Sequence, residues 1–396
     1  MCKIDKVLIL RLSLFLYPLI FLISCNVKKT KEALDTDHNP IVLETKEYVV
    51  PPSDILNLKS YYLSAVYQKD SAALLYGYNY KSHALDVFDL STLQTGQLSF
   101  FKEGPSGVQR PIYGFFVCSP DSVWVFDASL SFLLINKSGE VLKRIQSQQL
   151  LKSDETALVA QNYAIATDKF YYDAAHGSLL FGVMNRSDSN RRFKVYEISV
   201  DNSTLLTEYV LQPSVEGGDV YNSGYGNMNK PNICFTDKYI LYNYPIESHI
   251  YIMDRDTKTT QALKADSRFT GNVADKCSSE SDYNQWVRHG IENPHFYEIM
   301  YVHSKHMYAR LHTGGRSFDV GKSISDLYYD KKLYLTVFND DFSVYDEIEL
   351  PSYRYNLSTA WSVLENGLLL YVDNPLSNET KDENLRFDII KWSNGK

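Results

Sequence analysis

Ser122-Val-Trp-Val-Phe-Asp127 and, after Ala128-Ser-Leu130, Ser131-Phe-Leu-Leu-Ile-Asn136 decide the fold. The first segment is apolar on both faces rather than alternating, so a strand built from it must be covered on both sides. Leu179-Leu-Phe-Gly-Val-Met184 and Leu368-Leu-Leu-Tyr-Val372 have the same character. Beyond the N-terminal apolar run, no stretch of twelve or more residues carries a strong 3.6-residue period. With no helices to cover them, the sheets must cover one another. Small antiparallel sheets packed radially satisfy both conditions. The expected fold is all-β, a six-bladed β-propeller of four-stranded antiparallel sheets.

Strand pairs of this kind recur along the whole chain, at 72–78 with 84–90, 122–127 with 131–136, 179–184 with 193–199, 239–244 with 249–254, 307–312 with 333–338, and 367–373 with 386–392. Their starting positions give a mean spacing of (367 − 72)/5 = 59 residues. Compact propeller repeats take roughly 40–50, so long loops are expected on one face. Asp89-Leu-Ser-Thr92, Asn136-Lys-Ser-Gly139, Asp201-Asn-Ser-Thr204 and Asp254-Arg-Asp-Thr257 suit tight hairpins closed by side-chain bonds to the backbone, each between a third and an outermost strand. The last repeat offers three strands before the chain ends, whereas 41–50 reads as a strand ahead of the first repeat. That segment is expected to supply the missing outer strand and close the ring. Counting 333–338 with 342–350 separately would give seven blades instead.

Lys3, Lys6 and Arg11 precede an apolar run of twelve, Leu12 to Ile23, which is too short to span a bilayer and suits a signal peptide. Leu22-Ile23-Ser24-Cys25 resembles a bacterial lipobox, in which Cys25 is lipidated and becomes the new N-terminus. The expected organisation is a signal peptide over 1–24, a polar tether over 25–40 and a single propeller domain over 41–396. Processing removes Lys3, Lys6, Arg11 and Asp5, taking 40 Lys+Arg to 37 and 48 Asp+Glu to 47, a net charge of −10. Such a surface disfavours nucleic acid, which needs a basic stripe. Cys118, Cys234 and Cys277 remain, an odd number without metal-like spacing, and a disulfide between two of them stays open.

Phe101-Lys-Glu-Gly-Pro-Ser-Gly-Val108, residues 115–119, Asp121-Ser-Val-Trp-Val125, Asn293-Pro294 and Tyr308-Ala-Arg310 resemble motifs of Bacteroidota six-bladed propeller lipoproteins carrying domain of unknown function 4221. The chain departs from that pattern at Ser106 and Gln109, where Asn and Gly are more usual. The resemblance implies a fold and a cell-envelope location, and carries no activity with it. Because Asn26 is not an inner-membrane retention Asp and the tether lacks an acidic export run, an outer-membrane anchor facing the periplasm is expected first and surface exposure second.

Five of the nine His fall close together in sequence, His289, His295, His303, His306 and His312. His303 and His306 flank a turn, where spacing alone aims neither ring at a common ion. No metal site, catalytic residue or cofactor is assigned. Neither a Gly-x-Ser-x-Gly elbow, a Ser-x-x-Lys pair, a His-Glu-x-x-His pair nor a phosphate-cradling glycine loop occurs. The segments 212–230 and 264–294 are the expected binding surface. The first holds Tyr221 and Tyr225 among Asn222, Asn227 and Asn229, and the second holds Tyr283, Trp286, Arg288 and His289, with Arg310 as a further candidate. Aromatics mixed with amides and Arg suit stacking on sugars or gripping a peptide. The expected function is a monomeric, non-catalytic binding or scaffold module for a peptide, glycan or envelope protein, tied to the membrane by lipid. The alternative is a periplasmic hydrolase or lyase using His and carboxylates near the central channel.

The lipidation assignment predicts that Cys25→Ser abolishes metabolic labelling by radioactive palmitate, and a labelled mutant would refute it.

Overall fold

The computed structural model describes residues 31–32, 41–69, 72–160, 169–279, 281–356, 358–378 and 381–394. The expected signal peptide and Cys25 lie outside them. Six antiparallel sheets follow one another around a ring. From innermost to outermost strand, blade I comprises Ser64–Lys69, Ala72–Asn79, Ala84–Asp89 and Thr95–Ser99. Blade II comprises Ile112–Ser119, Ser122–Asp127, Ser131–Asn136 and Val141–Gln146. In blade III the innermost strand is split into Glu155–Ala157 and Phe170–Asp173, both paired with Ser178–Asn185, and Phe193–Ser199 and Thr204–Val210 follow.

Blade IV is built from Asn232–Phe235, Tyr239–Asn243, Ile250–Asp254 and Thr260–Lys264. Blade V is built from His295–Val302, Met307–Thr313, Leu333–Phe338 and Val344–Glu349. Leu333–Phe338 pairs on one side with Met307–Thr313 and on the other with Val344–Glu349, so these strands belong to one blade and the ring has six. Blade VI takes Trp361–Leu364, Gly367–Tyr371 and Leu385–Asn394 from the C-terminal end and Ile41–Val50 from the N-terminal end. The last two pair along ten residues, from Ile41 opposite Asn394 to Val50 opposite Leu385. The N-terminal strand thus closes the ring.

The doubly apolar strands are explained by six hydrophobic clusters, one at each seam between neighbouring blades. At the seam of blades II and III, the Phe132 ring lies 4.6 Å from Phe126, 5.1 Å from Phe170 and 5.0 Å from Phe181. These are ordinary tilted and edge-on aromatic geometries. In blade V the directly opposed residues Phe296, His312 and Tyr334 stack at 5.3 and 5.2 Å, and Phe269 continues the stack onto Tyr334 at 5.2 Å. Much of the excess of 31 Tyr and 19 Phe is packing of this kind.

The two faces of the ring differ in their connections. On one face the chain turns within a few residues, at 120–121, 174–177, 236–238, 303–306 and 365–366, and at 90–94, 137–140, 200–203, 255–259 and 339–343. The other face carries the long connections 51–63, 100–111, 211–231, 265–294, 314–332, 350–360 and 372–384. The long spacing of the repeats is therefore spent on one side.

Each connection that carries the chain from one blade to the next is held by a buried carboxylate of the receiving blade. Tyr61 Oη donates to Asp86 at 2.8 Å, Gln109 N to Asp127 at 2.8 Å, and Lys152 N to Glu155 at 3.0 Å. Around the rest of the ring, Glu216 N donates to Glu247 at 2.9 Å, Arg268 N to Glu347 at 2.8 Å, and Tyr355 Oη to Asp388 at 2.8 Å. All six carboxylates are buried, where an unpaired charge is costly. Most are compensated by further donors. Lys194 Nζ reaches Glu155 at 2.8 Å, and Arg354 grips Asp388 with Nε at 2.6 Å and Nη2 at 2.9 Å. The further partners of Asp86 are the neutral amides of Asn79 and Gln97. Burial outweighs these donors and holds its carboxyl above the usual range. Burial also acts to raise Glu155, but Lys194, Tyr196 and the Lys152 amide together bring it below its ordinary value.

These differences set opposite signs. A carboxyl raised in the folded state loses stability as pH rises from its unfolded value of about 3.9 through its folded one, so ionised Asp86 is a net cost at neutral pH. Asp86→Asn should leave the melting temperature at pH 7 unchanged or higher. Asp388→Asn weakens the paired bonds from Arg354 and should cost about 2 kcal/mol. Thermal unfolding of both variants checks this, and equal destabilisation would contradict it.

Candidate functional site

The segment 264–294 contains a helix, Tyr283–Glu292, where the sequence pattern suggested only a loop. At ten residues it is shorter than the periodic stretch sought in the sequence. Asp282 caps its N-terminus by accepting from Asn284 N at 2.9 Å. His289 and Ile291 are buried, while Tyr283 and Arg288 point outward. At its C-terminal end the buried Lys331 Nζ donates to Gly290 O and Asn293 O, each at 2.9 Å. A cation on these carbonyls complements the helix dipole. Desolvation pushes the ammonium down to about 7.

The two segments singled out in the sequence meet. Cys277 N donates to Gly224 O at 2.6 Å, and the Tyr225 and His289 rings lie 6.5 Å apart. Gly226 has φ of +55°, and a Cβ there would sit 3.6 Å from Trp286 Cγ, so a short 3-10 turn, Gly226–Met228, lies close against the helix. Tyr225 and His289 are buried in this contact, and Trp286 is half-buried. His289 Nε2 lies 2.5 Å from Asp275 O, and desolvation holds the imidazole below its usual range. Their role in the fold is to join the two segments. Tyr283 is 74% exposed. Arg288 is paired with Glu292 at 2.9 Å and lies 5.5 Å from the Phe318 ring. Tyr221 is half-buried, with the Arg192 guanidinium 4.9 Å from its ring.

Arg310 stands apart from this group. It is fully buried at the seam of blades IV and V, with Nη1 on Ser248 O at 2.7 Å and Nη2 on Ala265 O at 2.8 Å. The Phe296 ring lies 4.7 Å from its guanidinium. It clamps the seam and is out of reach of a ligand on either face.

The five histidines do not converge. His295 opens the innermost strand of blade V at the long-connection end, and His303 and His306 lie beyond its other end. At about 3.3 Å per residue, the strand's eight residues separate them by roughly 25 Å. His312 returns to the first end but is fully buried. Its Nε2 faces both Ser267 Oγ at 3.1 Å and Glu347 Oε1 at 3.0 Å. A serine–histidine–carboxylate relay needs the two partners on different ring nitrogens, so this cluster is structural. The three described cysteines are free, and burial pushes the Cys118 thiol up to about 12. Among the described residues, no group of three or more His, Cys, Asp or Glu is placed to hold a metal ion.

What distinguishes the long-connection face is its exposed apolar side chains. Among the described residues sixteen large hydrophobic side chains are exposed, and ten of them lie in connections at this end of the ring, one of them, Tyr80, in the short link 80–83. Five of these, Phe269, Val273, Tyr283, Val320 and Ile324, cluster on 265–294 and 314–332, which are joined by Arg316 N donating to Ile291 O at 2.9 Å. The short-connection face shows one, Leu93, and the outer strands of the blades carry the remainder. Clustering of this kind marks an interaction surface more often than scattered single residues do.

Six antiparallel blades closed by an N-terminal strand, with one elaborated face, define a six-bladed β-propeller. The sequence matches the model of the family described as Domain of unknown function (DUF4221) over residues 42–349, and the chain belongs to that family. The match begins in the strand that closes the ring and ends with blade V. A crystal structure of a DUF4221 family member from Bacteroides vulgatus is similar, with a TM-score of 0.71 at 14% identity, covering 90% of this chain and all of that one. A Bacteroides fragilis protein designated as exported has a TM-score of 0.52 at 13% identity, covering 92% of this chain and 99% of that one. At these identities the likeness concerns the fold. None of the curated proteins matches the chain.

Arg310→Met should lower the melting temperature by several degrees, since it leaves Ser248 O and Ala265 O without donors, whereas Tyr283→Ala should leave it unchanged. Differential scanning fluorimetry of both distinguishes a clamp from a surface residue.

Proposed function

We propose that this chain is a lipid-anchored cell-envelope propeller that binds a peptide, a glycan or an envelope protein through its long-connection face, without catalysing a reaction. The concentration of exposed apolar side chains on that face carries the reading. The latched connections support it, because loops held in place lose little entropy on binding. Tyr283 and Arg288 remain the outward-facing members of the expected binding set, with Tyr221 at the edge. Tyr225, Trp286 and His289 act by holding the helix on which Tyr283 and Arg288 stand.

Lipidation at Cys25 and an outer-membrane location facing the periplasm complete the proposal. The lipobox-like segment supports the anchor, and the relative designated as exported fits an envelope address. Among the described residues no helix is long and apolar enough to cross a membrane, so attachment would rest on the lipid. The enzymatic alternative has less support, because among the described residues the histidines are dispersed and the serine–histidine–carboxylate group at His312 is buried with its partners on a single nitrogen.

The test is affinity capture from envelope extracts with the mature protein. The wild type should retain a partner that Tyr283→Ala combined with Val320→Asp loses by tenfold or more, while Leu93→Asp on the other face retains it. Equal capture by both variants would refute the face assignment.

A further inference from the structure

The outermost strand of a propeller blade has an edge of backbone N–H and C=O groups that its own blade does not pair, and such an edge can take up another strand. Five of the six outer strands are short. Thr95–Ser99 and Thr260–Lys264 have five residues, Val141–Gln146 and Val344–Glu349 six, and Thr204–Val210 seven. Ile41–Val50 in blade VI has ten. It is the end strand of its sheet, so among the described residues no strand lies along its outer side. Ile41 N is committed to Asp346 Oδ2 at 2.9 Å, which leaves 42–48 as the stretch open to pairing.

Glu44, Thr45, Lys46 and Glu47, at the middle of that stretch, are all exposed. Arg354 and Arg386 hold Glu47 at 3.4 and 3.7 Å. Lys46 Nζ rests 4.5 Å from the Tyr48 ring, and among the described residues neither Lys46 nor Glu44 is in an ion pair. Charges on an edge strand ordinarily repel a second strand. Here their order selects one. In an antiparallel pair the backbone groups of opposed residues must point the same way, and successive residues alternate. Two copies related by a two-fold axis therefore pair only when the axis passes through a residue. An axis at Glu44, Lys46 or Glu47 sets like charges face to face, and one nearer either end pairs fewer residues. The axis at Thr45 sets Glu44 opposite the partner's Lys46 twice, where opposite charges attract. It also sets Val42, 54% exposed, opposite the partner's Tyr48.

We infer that this chain forms a symmetric dimer in which two copies of Ile41–Val50 pair edge to edge, antiparallel about Thr45. The inference goes beyond the proposed function and replaces the monomer expected from the sequence. One strand edge makes a small interface, so the association belongs to the weak, transient class. The edge lies on the circumference of the ring, so this claim and the assignment of the long-connection face stand or fall separately.

Copper-phenanthroline oxidation of envelopes containing the full chain with single cysteine replacements, read on non-reducing gels, tests it. Directly opposed Cβ atoms lie roughly 4.5–5.5 Å apart, close to disulfide range, so Thr45→Cys should give a dimer band that the unmodified chain lacks. Val42→Cys, also at an exposed position, would stand six residues along from its own copy, roughly 20 Å away, and should give none. Adding Lys46→Glu to Thr45→Cys should weaken the band about fivefold, because two opposed pairs become like-charged. Adding Glu44→Lys as well should restore it. The inference is overturned if Thr45→Cys gives no band, if Val42→Cys gives one as strong, as random collision would, or if the second charge reversal fails to rescue the first.

Discussion

Six buried carboxylates hold the connections between blades, and the working surface depends on them. A propeller must return its chain from the outer edge of one blade to the centre of the next six times, across a surface where backbone groups would otherwise be left to water. In this chain each crossing meets an acid on the receiving blade. Asp127, Glu155, Glu247 and Glu347 each accept a backbone N–H from the incoming connection, and Asp86 and Asp388 each accept a tyrosine hydroxyl. A carboxylate suits the task because it accepts several bonds at once, and bonds to a charged acceptor are the stronger ones.

The device divides labour between the two ends of the ring. Hairpins of a few residues complete the short-connection face, and Asp or Asn side chains close them locally, as at Asp89 and Asp254. On the long-connection face, segments such as 211–231 and 265–294 are too long for local closure and are pinned instead to the neighbouring blade. A helix, its Lys331 cap and the stack from Phe269 to Phe296 grow on that pinned framework. Exposed apolar side chains are tolerated there because the backbone beneath them is fixed.

Much of the fold was legible because it depends on repetition. The doubly apolar strands marked sheets covered on both sides, the 59-residue spacing marked one elaborated face, and the surplus strand at 41–50 found its place beside 385–394. The latches were not legible. They occupy unlike strand positions, Asp86 on a third strand, Asp127 on a second, Glu155 on a first and Glu347 on an outermost, so single acids left no periodic signal. The helix 283–292 was missed because ten residues with a Gly at 290 give a weak pattern, although Asp282 ahead of it was a usable cap signal. Arg310 was singled out as a possible ligand contact, yet its position inside an apolar strand pointed to burial.

Residue-resolved amide hydrogen exchange at Gln109, Lys152, Glu216 and Arg268 tests the account most directly. All four lie in irregular segments, where exposed amides exchange freely. The latch account predicts that they exchange as slowly as amides within the blades, and that Glu247→Gln accelerates Glu216 while sparing the other three. Fast exchange at Glu216 and Arg268 in the unmodified chain would contradict it.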